Sequence, residues 1–257
     1  MTKKIYLYNK NSKQKNIILG NTRFKVVNLT EPLKENTEVF PGDPKPKKRV
    51  LCSFKKDNCR HNIYTVGDHN YHPHGDAPNH QNRGYQNKGF EYWNLDFNFS
   101  RACMIDLSES KNSRKVGGVR FLNKITDKHI FPYLHQIKNS SALILRTGYD
   151  VWLELNKKHI LKNIPYIDKS AADLIFKFKK LKVVGIDSLT IDKVGTNYVH
   201  RKFKDKLIVE CLVNLYGIPK KNRNDFCLQT SPIAIVDATG GPILAYAYIP
   251  LNKGIKV

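Results

Sequence analysis

The 257-residue chain has no uninterrupted run of about eighteen apolar residues, which leaves no segment able to cross a bilayer as a helix. Behind its N-terminal lysines it also lacks the apolar stretch and small-residue cleavage site of a secretory leader. A cytoplasmic location with no membrane attachment is expected. Cysteines are few: five, an odd count, with no C-x-x-C pair, which argues against a disulfide framework and fits a reducing compartment. No internal repeat, low-complexity tract or composition break divides the sequence. One hydrophobic core is therefore expected over residues 24–257, preceded by a basic extension or edge strand over residues 1–23.

Acids are scarce as well. Against 44 Lys and Arg stand 22 Asp and Glu, a formal net charge of +22 and a pI near 9.7. That balance brings nucleic acid and other polyanions into consideration as partners. The excess is nearly all lysine, however, and runs from Lys3 to Lys256, whereas nucleic-acid readers concentrate their charge and favour arginine forks. A solvated lysine surface is the expectation, and nucleic acid is not an expected partner. The densest run, Lys3 to Lys25, holds seven basic residues and no acid, which suits either steering of an anionic partner or a soluble edge.

What the sequence does have is strand and helix patterning of the α/β kind. Residues 4–8 alternate weakly, and Phe24–Leu29, Val50–Phe54 and Ile63–Val66 read as strands. Cys103–Leu107, Ser141–Arg146 and Val183–Asp187 are short apolar runs typical of buried strands. A helix is expected from the Thr126-Asp127 cap to about Lys138, and another, preceded by Asp168, from Lys169 to about Lys179. Leu207–Val209 leads to Glu210, and residues 232–249 read as two strands split by Thr239-Gly240-Gly241-Pro242. Pro41-Gly42-Asp43-Pro44 can be neither helix nor central strand, so residues 31–46 are expected to be loop. Alternating strands and helices with a β-rich opening indicate an α/β domain with added antiparallel strands.

The chemistry concentrates in residues 70–80, Asn70-Tyr71-His72-Pro73-His74-Gly75-Asp76-Ala77-Pro78-Asn79-His80. In an extended segment positions 70, 72, 74 and 76 share a face, which would converge an amide, two imidazoles and a carboxylate, with His69 facing the opposite side. Pro78 ends such a strand and leaves His80 beyond the turn, a position that suits an acid–base group better than a ligand. The alternative is a histidine-rich surface loop, because metal ligands need partners from elsewhere in the fold.

His74-x-Asp76-x-Pro78-x-His80 resembles the signature of the metal-dependent hydrolases of the cyclase family, to which bacterial kynurenine formamidase and isatin hydrolase belong. Further matches follow in order: Leu29-Thr30-x-Pro32-Leu33, Phe40-Pro41-Gly42-Asp43-Pro44, Leu145-Arg146-Thr147-Gly148-Tyr149, Gly185-Ile186-Asp187, and a late segment from His200 to Asn214. The resemblance implies a cyclase-like, swivelling β/β/α fold with a mixed sheet and flanking helices. It also implies hydrolysis of a carbon–nitrogen bond in a formamide or small cyclic amide, and a homodimer or homotetramer. One or two zinc or manganese ions per chain would be held by His74, Asp76, His200 and Glu210, with His80 as general acid and base and Phe40 against the substrate. The sequence departs from the family where the first histidine ligand belongs, which is Asn70 here; His72 stands in the glycine position and is the expected substitute ligand. A relative without catalysis, binding a polyanion through its basic surface, is the rival reading.

Overall fold

The runs that are apolar at every position become the strands buried on both faces. In the computed structural model, which describes residues 13–19, 22–35, 37–93, 95–156 and 163–251, nine strands form one mixed sheet. They are β1 Gln14–Leu19, β2 Thr22–Asn28, β3 His74–Asp76, β4 Phe99–Asp106, β5 Ala142–Arg146, β6 Val183–Ile186, β7 Leu207–Glu210, β8 Phe226–Pro232 and β9 Gly240–Pro250. Their order is β1-β2-β9-β8-β4-β5-β6-β7-β3, and β3 also pairs with β9. Seven strands thus close into a barrel, with β1 and β2 as an antiparallel margin on β9. The four strands β4 to β7 run parallel, and the others pair antiparallel.

Alternation explains the composition of the parallel strands. Ala142 and Ile144 of β5 join one core cluster with Val183 and Val209, while Leu143 and Leu145 join a second with Ile186, Ala172 and Ile175. Helices α2 Lys169–Phe176 and α3 Tyr198–Lys202 pack on that second face through Ala172, Ile175 and Val199, while α1 Tyr149–Asn156, after β5, buries Tyr149 and Trp152 in a third cluster with Phe121 and Leu189. Asp168 caps α2 by accepting from the Ala171 amide at 3.1 Å. A two-stranded hairpin, residues 47–52 and 61–65, stands apart from the barrel.

Several elements differ from expectation. The helix expected over 126–138 breaks into Asp127–Ile130, a 3-10 turn Phe131–Tyr133 and Leu134–Lys138, because Pro132 has no amide to continue it. The first of the two late strands is Phe226–Pro232, not residues within 232–239, and α1 was not expected. Residues 4–8 lie outside the described residues. No helix among the described residues is long and apolar enough to cross a membrane.

Candidate metal centre

The site is built on the shortest strand of the barrel. Within β3, Gly75 turns its bare α-carbon to the barrel interior, where a Cβ would stand 2.5 Å from Ile243 Cδ1 and 3.1 Å from Phe90 Cε2. His74 and Asp76 consequently project from the other face. The register pairs His74 with Glu210 and Asp76 with Ile208 on β7, so the C-terminal end of a parallel strand delivers Glu210. The Trp93 indole N–H donates to the Asp76 carbonyl at 2.8 Å and holds the strand in place.

Around Asp76 four imidazoles gather. His69 Nδ1 lies 3.1 Å from Asp76 Oδ1, and His74 Nε2 lies 3.8 Å from the same oxygen and 3.3 Å from Glu210 Oε2. His200 Nε2 lies 3.0 Å from Asp76 Oδ2 and 3.5 Å from Glu210 Oε1. The His80 ring stands 4.1 Å from that of His69 and 5.4 Å from that of His200, centre to centre. Two sets of donor atoms fall within 4.8 Å of one another: His69, His74 and Asp76, and Asp76, His80 and His200.

Each of three imidazoles has its far nitrogen committed to an acceptor. His74 Nδ1 donates to the Tyr71 carbonyl at 3.1 Å, and His200 Nδ1 donates to Asp192 Oδ2 at 2.7 Å. Thr239 Oγ1 donates to Asp68 at 2.7 Å, so it accepts from His69 Nε2 at 2.9 Å. In their neutral forms all three rings then present a lone pair to a carboxylate oxygen. Acceptor facing acceptor is repulsive, and only a cation in the gap, a proton or a metal ion, reverses it. The ionisation of the cluster shows the same demand. Burial would lower His200 and His69, yet hydrogen bonds to Asp192 and Asp76 hold His200 well above its ordinary value, and Asp76 holds His69 up. Burial would raise Asp76, but His200 and His69 keep it well below the carboxylate range. Burial pushes His80 down to about 4; Asp76 opposes this and His69, His200 and His74 add to it, so the ring is neutral at pH 7. The donor set of imidazole and carboxylate fits zinc or manganese.

The structure brings together His74, Asp76, His80, His200 and Glu210, and it leaves Asn70 and His72 out. Residues 67–73 run as turns, with the Asn70 amide on the Gly67 carbonyl at 3.0 Å, so the alternation of an extended strand begins only at His74. His72 turns to the 31–34 loop, its Nδ1 3.4 Å from Glu31 Oε2. Burial would raise the Glu31 carboxyl, but His72 and Lys34 bring it down to about 2. The Asn70 amide donates to the Pro44 carbonyl at 2.9 Å. The expectation that His72 shares a face with His74 and Asp76, with His69 facing away, is thereby corrected: it is His69 that stands beside them. Gly240 makes room for it, since a Cβ there would stand 2.6 Å from His69 Cε1. Phe40 sits 36% exposed at the turn over 40–43, outside the lining of both cavities at the site.

Sequence reasoning also missed Asp192, Thr239 and Asp68, the acceptors behind the imidazoles. Asp192 takes the Val199 and His200 amides at 2.9 and 3.0 Å as well, tying α3 to the site. An aspartate shortly before a helix is a usable signal; nothing in the sequence links Thr239 to His69.

The Cyclase family model ("Putative cyclase") matches residues 27–193. Among solved structures, isatin hydrolase A from Labrenzia aggregata, bound to benzyl benzoate, is similar with 15% identity and a TM-score of 0.70, covering 88% of this chain and 94% of that one. Isatin hydrolase A from Ralstonia solanacearum gives 17% identity and a TM-score of 0.68, with 88% and 92% covered. A protein described as a predicted metal-dependent hydrolase from Bacillus stearothermophilus gives 17% identity and 0.64, with 88% and 98% covered. At such identities the likeness shows the fold. No curated protein matches the chain.

Proposed function

The chain belongs to the Cyclase family, and from that membership we propose that it is a metal-dependent hydrolase that cleaves a carbon–nitrogen amide bond, in a formamide or a small cyclic amide. The observation that carries this reading is the set of imidazole lone pairs aimed at Asp76 and Glu210, with no donor of the described residues between ring and carboxylate; the Ile191 amide meets Glu210 from another side. His69, His74, Asp76, His200 and Glu210 would hold one or two divalent ions, zinc or manganese. When bound, such an ion polarises the amide carbonyl and lowers the pKa of water.

The rest falls to the side chains. Asp192, Tyr71 and Thr239 fix which imidazole nitrogen points inward. Trp93 and Phe203 wall the space between Asp76, His80 and His200, which at about 10 Å³ is sized for one water centre. Neutral His80 takes the proton from water attacking the carbonyl carbon and passes it to the leaving nitrogen. The amide is thereby split into a carboxylic acid and an amine.

Protein purified without chelator is expected to carry one to two equivalents of a first-row divalent metal, read by mass spectrometry, with the metal lost in a His74→Ala, Asp76→Ala double variant. His80→Ala is expected to retain that metal and lose turnover of an aryl formamide by roughly 10²–10⁴-fold. Metal content equal in wild type and double variant overturns the reading.

A further inference from the structure

Beside the metal centre opens a second, larger cavity of about 480 Å³, lined by Gln81, Asn82, Arg83, Tyr85, Asn197, Arg201 and Lys204 among others. Gln81, Asn82 and Lys204 also line the narrow space at Asp76 and His80, so the two adjoin across these three side chains. A chain of amides joins them: Asn197 donates to Gln81 Oε1 at 3.4 Å, and the Gln81 amide lies 3.1 Å from His80 Nε2. Helix α3 serves both, with His200 in the centre and its neighbour Arg201 on the outer cavity.

In a chain of such positive charge, unpaired cations are common, so the pairing of nearby ones is informative. Lys202 is held by Asp173 at 2.6 Å, and the buried Lys206 ammonium donates to the Leu181 carbonyl at 2.6 Å. By contrast Arg83, Arg201 and Lys204, the three cations of the cavity wall, make no ion pair among the described residues, and no acid lines the cavity. Asp205, outside the lining, accepts from the Tyr85 hydroxyl at 3.2 Å. Lys204 is steadied over the Tyr85 ring, 4.8 Å from its centre. Two guanidinium forks, one ammonium and three side-chain amides around open space form a receptor for a planar anion.

Resting on the amidase reading, we propose that the substrate is an anionic amide: its carboxylate sits against Arg201, Lys204 and Arg83 while its amide bond reaches past Gln81 to His80. The anionic group thus selects the substrate and orients the scissile bond.

The test uses two matched probes, the formamide of 2-aminobenzoate and the formamide of aniline, titrated calorimetrically into the full-length protein, with hydrolysis followed in parallel. The carboxylate probe is expected to bind at least tenfold more tightly, with the advantage falling as salt rises. An Arg201→Ala, Lys204→Ala double variant is expected to lose that advantage and to bind the two probes alike. Equal affinity for both probes in the wild type, no binding of either, or an undiminished preference in the double variant overturns the inference. Hydrolysis of both probes without preference sinks this inference and leaves the amidase reading standing. A carboxylate preference without hydrolysis of either probe does the reverse.

Discussion

Two buried polar clusters lie at the ends of the barrel strands, and they are built on opposite principles. In the first, Asp187 accepts from the Thr147 amide at 2.9 Å, the Thr147 hydroxyl at 2.7 Å and the Gly148 amide at 2.9 Å. Asp106 accepts from Ser108, and from Arg146 and Arg223 at 2.8 and 2.9 Å. Most of its carboxylate oxygens face donors the chain itself supplies. In the second, around Asp76 and Glu210, the rings that face the carboxylates have spent their donors elsewhere. Both clusters are rich in buried charge, so burial alone does not separate scaffold from site. The balance of donors and acceptors does: in the first cluster donors of the chain meet most of the carboxylate oxygens, whereas in the second imidazole acceptors face the carboxylates.

The widest separation of the two should come from removing the central acceptor of the first. Asp187→Ala leaves buried amides without a partner and is expected to destabilise the fold by about 3–5 kcal/mol in denaturant unfolding. The metal content of the protein that remains folded should be unchanged; metal lost in step with stability would mean the clusters are not independent.

Next in size is the pair His69→Ala and His72→Ala. Removal of His69 should weaken metal binding by at least the ~10–100-fold that loss of a supporting residue brings, measured by competition with a chelator, while removal of His72 leaves it unchanged. Similar losses in both would return His72 to the site. Thr239→Val, which takes away only the acceptor behind His69, should fall between them.

The third test concerns Asp150, the imperfect member of the first cluster, and its effect appears only as pH rises. Its Oδ2 accepts from the Leu215 amide at 3.1 Å, but Oδ1 has no hydrogen-bond partner. Burial and the neighbouring Asp187 raise its carboxyl to about 7, against the pull of Arg146. A carboxyl whose folded value lies above the unfolded value near 3.9 contributes stability that is full below about pH 4 and is lost as pH rises toward 7. Asp150→Asn should therefore gain on the wild type with rising pH, by up to about 4 kcal/mol at pH 8, in unfolding experiments across pH 4–8. A difference that is flat with pH would show that Asp150 is ionised throughout.

How much of this could be read from sequence follows the same division. Strands β4 to β7 were legible because strands buried on both faces are apolar at every position, and Cys103–Leu107, Ser141–Arg146 and Val183–Asp187 all fall on them. His74, Asp76, His80, His200 and Glu210 could be named from motif order, and the structure gathers them. His69 could not, since its place depends on the turns over 67–73 and on the space left by Gly240, 171 residues further along the chain. The second cavity was equally hidden: Arg83 and Arg201 meet only when the 3-10 turn Arg83–Tyr85 and α3 pack side by side.

The three residues of β3 have a mechanical consequence. They form the narrowest stave of the barrel, held at Asp76 by Ile208 on one flank and Gly240 on the other. A cation held by Asp76 and Glu210 would tie this stave by its side chains to β7, the neighbour on the Ile208 flank, in addition to their backbone pairing. Hydrogen exchange of the amides paired between β3 and β7 should therefore slow as the site fills, before any substrate is present.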